Sequence, residues 1–291
     1  MEDGISHIDD YGGGGGDFFP ALGVRAEDGH KGSFGTVMVV GGCDDGITMM
    51  IGAPALVARG ALRSGCGVVR VVVPRSILKE VLLLEPSATG VGLVQKEGGV
   101  LHASKSAEVI DRFKGGVDVI AIGPGFGVGF EQQQILMRLL GEERLIVLDA
   151  DGLNNVAAIA DFAGDIRASM VITPHVGEYL RLAEALGLEG AHPAGNKGER
   201  VEAAERLAQR LGCVVVLKGA GSVVTDGVRS WVCPVREAAL AVAGSGDVLT
   251  GIIAGLIAQY GKGVGDGNDK VLTLLQAAAW GVRIHGEAGL R

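Results

Sequence analysis

Cysteine is scarce in this sequence, and its spacing gives no sign of a metal or disulfide site. The four cysteines among the 291 residues show no Cys-x-x-Cys spacing and no cluster with histidine. Zinc sites and disulfide frameworks in small domains depend on such spacings. We therefore expect four reduced, packed thiols in a reducing compartment. They are Cys43, Cys66, Cys213 and Cys233.

Basic clusters and long apolar runs are also lacking. The formal net charge is −8, and lysines and arginines are scattered singly, which argues against nucleic acid or an anionic membrane surface as a partner. No segment reaches the ~18 consecutive apolar residues of a membrane span. The N-terminal sequence MEDGISHIDD is acidic, whereas signal and transit peptides are basic. We expect a cytoplasmic protein that binds neither nucleic acid nor membrane.

Aromatic residues make up only 4% of the chain, whereas apolar residues make up 47% and glycine accounts for 50 residues. The core must therefore be built from valine, isoleucine, leucine and alanine. Such a composition is typical of buried parallel strands and of elements whose backbones approach closely.

Strand and helix patterns alternate along most of the chain. The apolar strand Val37–Val40 precedes a helical stretch, Gly52–Gly67, and a second strand, Val68–Pro74, which together form a βαβ unit. Strands within 117–127, 145–154, 170–173 and 213–218 continue the alternation. We predict an α/β fold, a three-layer α/β/α sandwich whose mostly parallel central sheet is covered on both faces.

The N-terminus differs from the rest of the chain. It has no periodicity, and Gly12–Gly16 is a run of glycines that a packed element would not contain. We expect residues 1–25 to be a flexible leader and residues 26–291 to be a single catalytic domain.

The segment AVAGSGDVLTG, residues 241–251, predicts an anion site. The small residues Gly244, Ser245 and Gly246 precede an apolar helix, so backbone N–H groups at its positive end can approach a phosphate. Asp247 borders this hole. It is either the helix N-cap or a general base for phosphoryl transfer.

Other polar loops fall at predicted strand ends, where open α/β sheets bind ligands. Lys218 begins the loop Lys218–Ser222, which can wrap a nucleotide phosphate or ribose or can be a surface turn. Of Asp149 and Asp151, one faces the ligand, and we expect Asp151 to cap the helix that follows.

The loop Thr173–Glu178 follows a further strand. His175 precedes Gly177, which leaves room for a ligand, although a single histidine is often structural. Glu178 either holds Mg²⁺ through water or is a first-turn acid that interacts with the helix dipole.

Seven segments occur in a fixed order between residues 30 and 260: HKGSFGTVMVVGG, GAPALVARGALRSGCG, IGPGFG, LDADGLN, TPHVGE, VLKGAGS and AGSGDVLTGIIAGLIAQ. Together they resemble the ADP- or ATP-dependent NAD(P)H-hydrate dehydratases, a family of ribokinase-like fold. The segment TPHVGE resembles this branch more than the sugar kinases of the same fold. Relatives often carry an N-terminal epimerase domain, and the short stretch before residue 30 leads us to expect none.

The resemblance implies repair of hydrated NADH or NADPH by a lyase that uses Mg²⁺ and ADP or ATP. The nucleotide phosphorylates the added ring hydroxyl, and phosphate then leaves to restore the double bond. By position, Asp247 resembles the base. The resemblance implies a nucleotide site formed by Lys218, Gly219, Ala220, Gly221, Ser222 and Gly246. It implies substrate contacts at Gly52, Ala53, Gly125, Gly127, His175 and Asp247.

Two segments depart from the family. The family often has an asparagine with proline or glycine before the Gly-Ser-Gly-Asp loop, where this chain has REAALAVAGSGD, residues 236–247. The nucleotide pocket near Glu237 therefore differs, and a second family block appears only as EPSATG, residues 85–90.

Two further interpretations remain open. A small-molecule kinase of the same fold would use the same aspartate and anion hole and stop at the phosphate ester. A non-catalytic nucleotide-binding protein would bind without turnover. For any of the three we expect a homo-oligomer, since apolar helix faces such as that of Gly281–Leu290 would permit one.

Overall fold

The computed structural model describes residues 18–25, 27–190, 192–261 and 272–291. The glycine run at residues 12–16 lies outside the described residues. In the described part of the chain, no helix has the length and apolar character that crossing a membrane requires.

The centre of the fold is a mostly parallel sheet of nine strands in the order β11-β10-β9-β8-β7-β6-β1-β4-β5. The strands from β9 to β5 in this order are parallel, and β10 and β11 form an antiparallel hairpin at one edge. A separate hairpin joins β2 and β3. The strands are β1 Thr36–Val40, β2 Cys43–Asp44, β3 Met49–Met50, β4 Val68–Pro74, β5 Thr89–Leu93, β6 Val119–Ile122, β7 Leu145–Leu148, β8 Ser169–Ile172, β9 Val214–Leu217, β10 Val223–Thr225 and β11 Ser230–Val232.

Helices cover both faces of this sheet. Val37 and Val39 of β1 join a core with α1, α2, α8 and α9, whereas Met38 and Val40 join a second core with α3 to α7. The predicted three-layer α/β/α fold is confirmed. The helices are α1 Gly52–Arg63, α2 Leu78–Leu84, α3 Ala103–Phe113, α4 Phe130–Leu140, α5 Asp151–Ala157, α6 Val176–Leu186, α7 Lys197–Leu211, α8 Ser245–Tyr260 and α9 Leu274–Gly289.

All four cysteines carry free, buried thiols, as the spacing predicts. Burial is the main cause that raises the pKa of each thiol, to about 12 for Cys213. At neutral pH these groups are protonated and contribute to packing.

The sequence analysis did not identify α2, β5 and α3. β5 contains Gly90 and Gly92, which weaken a strand pattern. The structure explains these glycines, because a Cβ atom on Gly90 would lie 2.6 Å from Leu78 Cδ1 and one on Gly92 would lie 3.2 Å from Arg75 Cβ. The missing side chains allow the segment of residues 75–84 to lie close to the edge strand.

α7 begins at Lys197, four residues before the apolar helical pattern of the sequence starts at Val201. Asn196 accepts hydrogen bonds from the backbone N–H groups of Gly198 and Glu199, and the Glu199 carboxylate accepts from the Asn196 N–H. This capping box stabilises a polar first turn that the apolar pattern does not mark.

Residues 18–25, which we placed in the flexible leader, contact the domain. Phe18 is buried, and the Phe19 ring packs edge-on against Trp231 and Trp280. The Trp280 indole N–H donates to the Pro20 carbonyl at 3.2 Å. Aromatic contacts therefore hold this segment against Trp231 and Trp280. The glycine-rich composition of the leader gives no sign of these contacts.

Helices α1 and α8 pack so closely that the backbone of each helix contacts the backbone of the other. A Cβ atom on Gly251 would lie 2.1 Å from the Val57 carbonyl oxygen, and one on Gly60 would lie 2.5 Å from the Val248 carbonyl oxygen. Only glycine fits at these positions. The close contact fixes the position of α8, whose first turn forms the anion site.

We expect Gly251→Ala to lower the free energy of unfolding by about 2 kcal/mol, because the added methyl group forces the two helices apart. Gly164→Ala is the matched control, since its Cβ would meet nothing within 4 Å. Chemical denaturation of both variants measures the difference. Equal stability of the two variants would contradict the close contact.

Candidate active site

The predicted polar loops lie at the carboxyl ends of parallel strands. The loop Gly123–Gly127 follows β6, Asp149–Asn154 follows β7, Thr173–Glu178 follows β8 and Lys218–Ser222 follows β9. These strands are adjacent in the sheet. Their loops therefore meet at one edge, beside the first turn of α8.

The first turn of α8 has the geometry of an anion hole. Gly244 adopts a left-handed conformation as the N-cap, with φ of 85°, and a Cβ there would lie 2.5 Å from Leu56 Cδ1. The helix begins at Ser245, so the N–H groups of Gly246 and Asp247 belong to the first turn, where a helix supplies no intrahelical acceptors. They are available to an anion.

Asp247 is not the helix cap. It is the third residue of α8, and no side-chain cap hydrogen bond is formed at this helix start. Burial and the neighbouring carboxylates of Asp149 and Asp151 raise the pKa of the Asp247 carboxyl, Lys218 opposes them, and the result is a pKa of about 6. An acid of this pKa at a phosphate hole fits a general base that works near neutral pH.

A buried ion pair lies next to Asp247. Lys218 Nζ is 2.7 Å from Asp149 Oδ1, and the Thr250 hydroxyl donates to Asp149 Oδ2 at 2.7 Å. Glu178 Oε2 lies 3.8 Å from the same Nζ. Burial lowers the pKa of the Lys218 ammonium, but the surrounding carboxylates outweigh it and the net shift is upward. Lys218 therefore remains a cation.

The Lys218 ammonium reaches the anion hole. A Cβ atom on Gly246 would lie 3.4 Å from Lys218 Nζ and 4.0 Å from Asp149 Oδ2. The side chain of Lys218 thus adjoins the first turn of α8, while the backbone of Lys218 begins the loop after β9. A single residue connects the predicted nucleotide loop with the predicted phosphate hole.

The rest of the loop Lys218–Ser222 is a tight turn. Gly219 and Ala220 are exposed, Gly221 is buried with φ of 79°, and the Ser222 hydroxyl donates to the Gly219 carbonyl at 3.1 Å. The exposed backbone of this turn lies beside the anion hole.

The prediction that Asp151 caps α5 is wrong. Asp151 is the first residue of that helix, and its carboxylate accepts instead from the Gly127 N–H at 2.9 Å. The Asn155 side-chain amide donates to the Gly127 carbonyl at 2.8 Å. Ala150, with φ of 50°, is the N-cap and turns the chain so that Asp151 faces the neighbouring loop. Both side chains hold the glycine loop after β6.

Small residues line the space between this glycine loop and α1. A Cβ atom on Gly125, whose φ is 64°, would lie 3.1 Å from Ala53 Cβ and 3.1 Å from Met50 Cβ. A Cβ on Gly52 would meet nothing within 4 Å. The structure brings together Gly125 and Ala53, two predicted substrate contacts, and leaves open space at Gly52.

His175 and Glu178 form the capping box of α6. His175 Nδ1 accepts from the Gly177 N–H at 2.9 Å, and Glu178 Oε2 accepts from the His175 N–H at 2.8 Å. Burial and the cations Lys218 and Arg181 lower the pKa of His175, which favours the neutral ring that such a cap requires. The His175 side chain is 53% exposed, so its ring is still accessible to a ligand.

The carboxylates do not form a closed metal site. In the described ranges no group of three or more His, Cys, Asp or Glu side chains has the spacing to hold a metal ion. Burial raises the pKa of Glu178, and both of its oxygens have protein partners. The described residues therefore offer Mg²⁺ no protein cage, and an ion here would be held by substrate phosphates and through waters.

Two residues of the site were missed in the sequence analysis. Thr250 lies one helical turn after Asp247 on the same face of α8, and this spacing could have identified it. His285 Nε2 lies 3.1 Å from Ser245 Oγ, and burial lowers the pKa of His285. His285 is on α9, and no local pattern connects it with Ser245.

Comparisons with known proteins agree with this geometry. A family model described as NAD(P)H-hydrate dehydratase matches residues 37–291. The chain is 34% identical over 279 residues to the bifunctional NAD(P)H-hydrate repair enzyme Nnr of Pyrobaculum aerophilum, covering 94% of this chain and 49% of that protein. The Nnr protein of Moorella thermoacetica is 35% identical, covering 91% and 46%. The chain spans about half the length of the curated relatives it matches.

Solved structures extend the comparison. The ADP/ATP-dependent NAD(P)H-hydrate dehydratase of Bacillus subtilis, co-crystallised with ATP and Mg²⁺, superposes with a TM-score of 0.71 at 26% identity, covering 91% of this chain and 83% of that one. A ribokinase-like superfamily protein of Enterococcus faecalis, at 23% identity, superposes with a TM-score of 0.67 over 91% and 81%, and shares the fold. By its sequence match over residues 37–291, the chain belongs to the NAD(P)H-hydrate dehydratase family.

Proposed function

We propose that this protein repairs hydrated NADH or NADPH by nucleotide-dependent dehydration. The observation that carries the proposal is Asp247, a carboxyl whose pKa is raised to about 6, beside an anion hole and a buried lysine. Family membership supplies the substrate, and the site supplies a base and a phosphate cradle next to each other.

The proposed reaction has two steps. Asp247 accepts the proton of the added ring hydroxyl as its oxygen attacks the terminal phosphorus of the nucleotide, and the nucleotide leaves one phosphate shorter. The ring C–O bond then breaks, phosphate leaves with the bonding electrons, and the adjacent ring carbon loses a proton as the double bond forms. Phosphate is a far better leaving group than hydroxide, so phosphorylation makes the elimination possible.

The anion hole and Lys218 stabilise the transferred group. The first-turn N–H groups of α8 and the Lys218 ammonium face the equatorial phosphoryl oxygens, where charge accumulates in the transition state. We propose that ADP or ATP binds along the loop Lys218–Ser222 and that Mg²⁺, held by the phosphates and through water by Glu178, neutralises phosphate charge when bound. The B. subtilis relative crystallised with ATP and Mg²⁺ supports this proposal.

We propose that the hydrated dinucleotide lies between α1 and the glycine loop after β6. Ala53 and Gly125 leave its wall smooth, Gly52 faces open space, and Gly127 is held by Asp151. The exposed ring of His175 lies after β8, two strands along the sheet from β6, and contacts the substrate. Asp247 is shared between the two substrates.

Oligomeric state and location are also proposals. The apolar face that we suggested on α9 packs within the chain, since Gly281 contacts Ile253 and Gly289 contacts Leu240. We still propose a homo-oligomer, now formed through exposed apolar side chains outside this helix, which are Ile47, Met49, Val128 and Phe130. We also propose that the protein acts in the cytoplasm.

The decisive measurement is recovery of absorbance in the reduced-nicotinamide band after mixing the protein with Mg²⁺, hydrated NADH and either ADP or ATP. We expect recovery with at least one donor, and a loss of ~10²-fold or more in Asp247→Asn, as for removal of a general base. Asp161→Asn, at an exposed position, is the control.

Other outcomes separate the competing interpretations. A stable phosphate ester without recovery of absorbance would identify a kinase. Tight nucleotide binding without turnover, unchanged by Asp247→Asn, would identify a binding protein. Either result would reject the dehydratase.

The pKa of Asp247 also predicts a pH dependence of activity. Protonation of the base removes its function, so kcat/KM with hydrated NADH should fall about tenfold per pH unit below a pH of about 6. A rate that is flat down to pH 4 would exclude Asp247 as the titrating base.

Asp247→Asn should stabilise the fold while it abolishes activity. The folded-state pKa is raised from 3.8 to about 6, so the folded protein binds this proton more tightly and loses stability as the pH rises from about 4 to 6. At pH 7 the variant should gain on the order of 1–3 kcal/mol in the free energy of unfolding. Denaturation curves of both proteins at pH 5 and 7 measure it, and a difference independent of pH would contradict the assignment.

A further inference from the structure

Two arginines lie against the loop Lys218–Ser222. A Cβ atom on Gly219 would lie 2.9 Å from an Arg200 guanidinium nitrogen, and one on Gly221 would lie 3.5 Å from Arg236 Nε. Both glycines have left-handed backbone conformations, with φ of 149° and 79°. The two guanidinium groups therefore pack where side chains of this loop would otherwise lie.

In the described part of the chain, no Asp or Glu oxygen lies within ion-pair distance of Arg200 or Arg236. Arg200 is partly buried, and burial together with Arg236 lowers its pKa. Arg236 is exposed, so its charge stays in water, whereas the charge of the partly buried Arg200 is of the kind that is normally paired.

The two arginines differ in what the fold requires of them. Arg200 donates to the carbonyls of Pro193, Leu217 and Lys218, at 2.6, 3.4 and 3.4 Å, and so supports the loop. Arg236 makes no hydrogen bond within the described residues and is exposed. The fold therefore gives Arg200 a structural role and gives Arg236 none.

Arg236 lies in the segment where the chain departs from its family, ahead of the anion hole. The Lys218 ammonium lies beside Gly246, and the guanidinium groups of the two arginines lie beside Gly219 and Gly221. The loop is thus flanked by three cations in a chain of net charge −8. A guanidinium group pairs with phosphate oxygens through two parallel hydrogen bonds.

We propose that Arg236, with Arg200 behind it, binds the phosphate group that stays on the donor nucleotide after transfer. This assignment rests on the proposed nucleotide-dependent function. Lys218 and the first turn of α8 hold the phosphoryl group that is transferred. Arg236 holds the next phosphate of ADP or ATP, which stays on the nucleotide. The arginine pair therefore distinguishes a nucleoside polyphosphate from a nucleoside.

The test is titration calorimetry of the intact protein with adenosine, AMP, ADP and ATP in the presence of Mg²⁺. In Arg236→Gln, the Kd for ADP and ATP should rise about tenfold or more, whereas the Kd for adenosine should change less than about twofold. Arg236→Lys should recover part of the lost affinity, because lysine keeps the positive charge but lacks the planar guanidinium group that forms two parallel hydrogen bonds. Arg210→Gln, an exposed arginine on α7 away from the loop, is the matched control.

The remaining outcomes overturn the proposal. An equal loss for adenosine and ADP means that Arg236 acts on the shape of the loop, and no loss for either means that it does not touch the nucleotide. If the wild type binds and uses ADP while Arg236→Gln is unchanged, this assignment fails and the dehydratase stands. If the wild type binds no nucleotide, the proposed function fails and this assignment fails with it. Arg200 also supports the loop, so the nucleotide affinity of Arg200→Gln must be compared with the thermal unfolding temperature of the same variant.

Discussion

The site depends on the buried ion pair between Lys218 and Asp149. It joins the loops after β7 and β9, and Thr250 connects it to α8. Taking both charges out of water is costly, and an apolar pair of similar volume would pack as stably. Its value is therefore electrostatic: it holds a cation beside Gly246 and a carboxylate close enough to raise the pKa of Asp247. One ion pair thus sets the charge beside both the predicted phosphate hole and the predicted base.

The sequence predicts those parts of the protein that depend on local pattern. The βαβ alternation, the anion hole at residues 244–246 and the loops at strand ends follow from periodicity and glycine position. The direction of side chains does not. Asp151 bonds to the Gly127 N–H rather than to its own helix, because Ala150 turns the chain. Lys218 points towards α8 because it pairs with Asp149, which in turn accepts a hydrogen bond from Thr250 of that helix. These contacts join distant parts of the chain, which no local pattern records. β5 was missed because Gly90 and Gly92, which leave room for Leu78 and Arg75, weaken the strand pattern.

The capping box of α6 is formed by two residues, His175 and Glu178, that the sequence analysis also predicted to contact ligands. His175 and Glu178 close the first turn of the helix, and this use fixes the neutral ring and occupies the carboxylate. The ring remains half exposed at the strand end. A ligand therefore meets a histidine whose orientation is already set, so little side-chain entropy is lost on binding. Helix capping and substrate contact are therefore compatible roles for His175, which the sequence analysis treated as alternatives.

The phosphate hole and Asp247 cannot by themselves separate a dehydratase from a kinase. Both reactions pass through the same transfer to a hydroxyl, and the difference is what the product does next. A phosphate ester on a carbon that can lose phosphate with formation of a conjugated double bond decomposes without further help from the protein, whereas an ordinary alkyl phosphate persists. Under the proposed function, the reaction class therefore depends on the acceptor that fits beside Ala53 and Gly125. The same proposed transfer site would then catalyse a different overall reaction if the side chains around Ala53 and Gly125 changed.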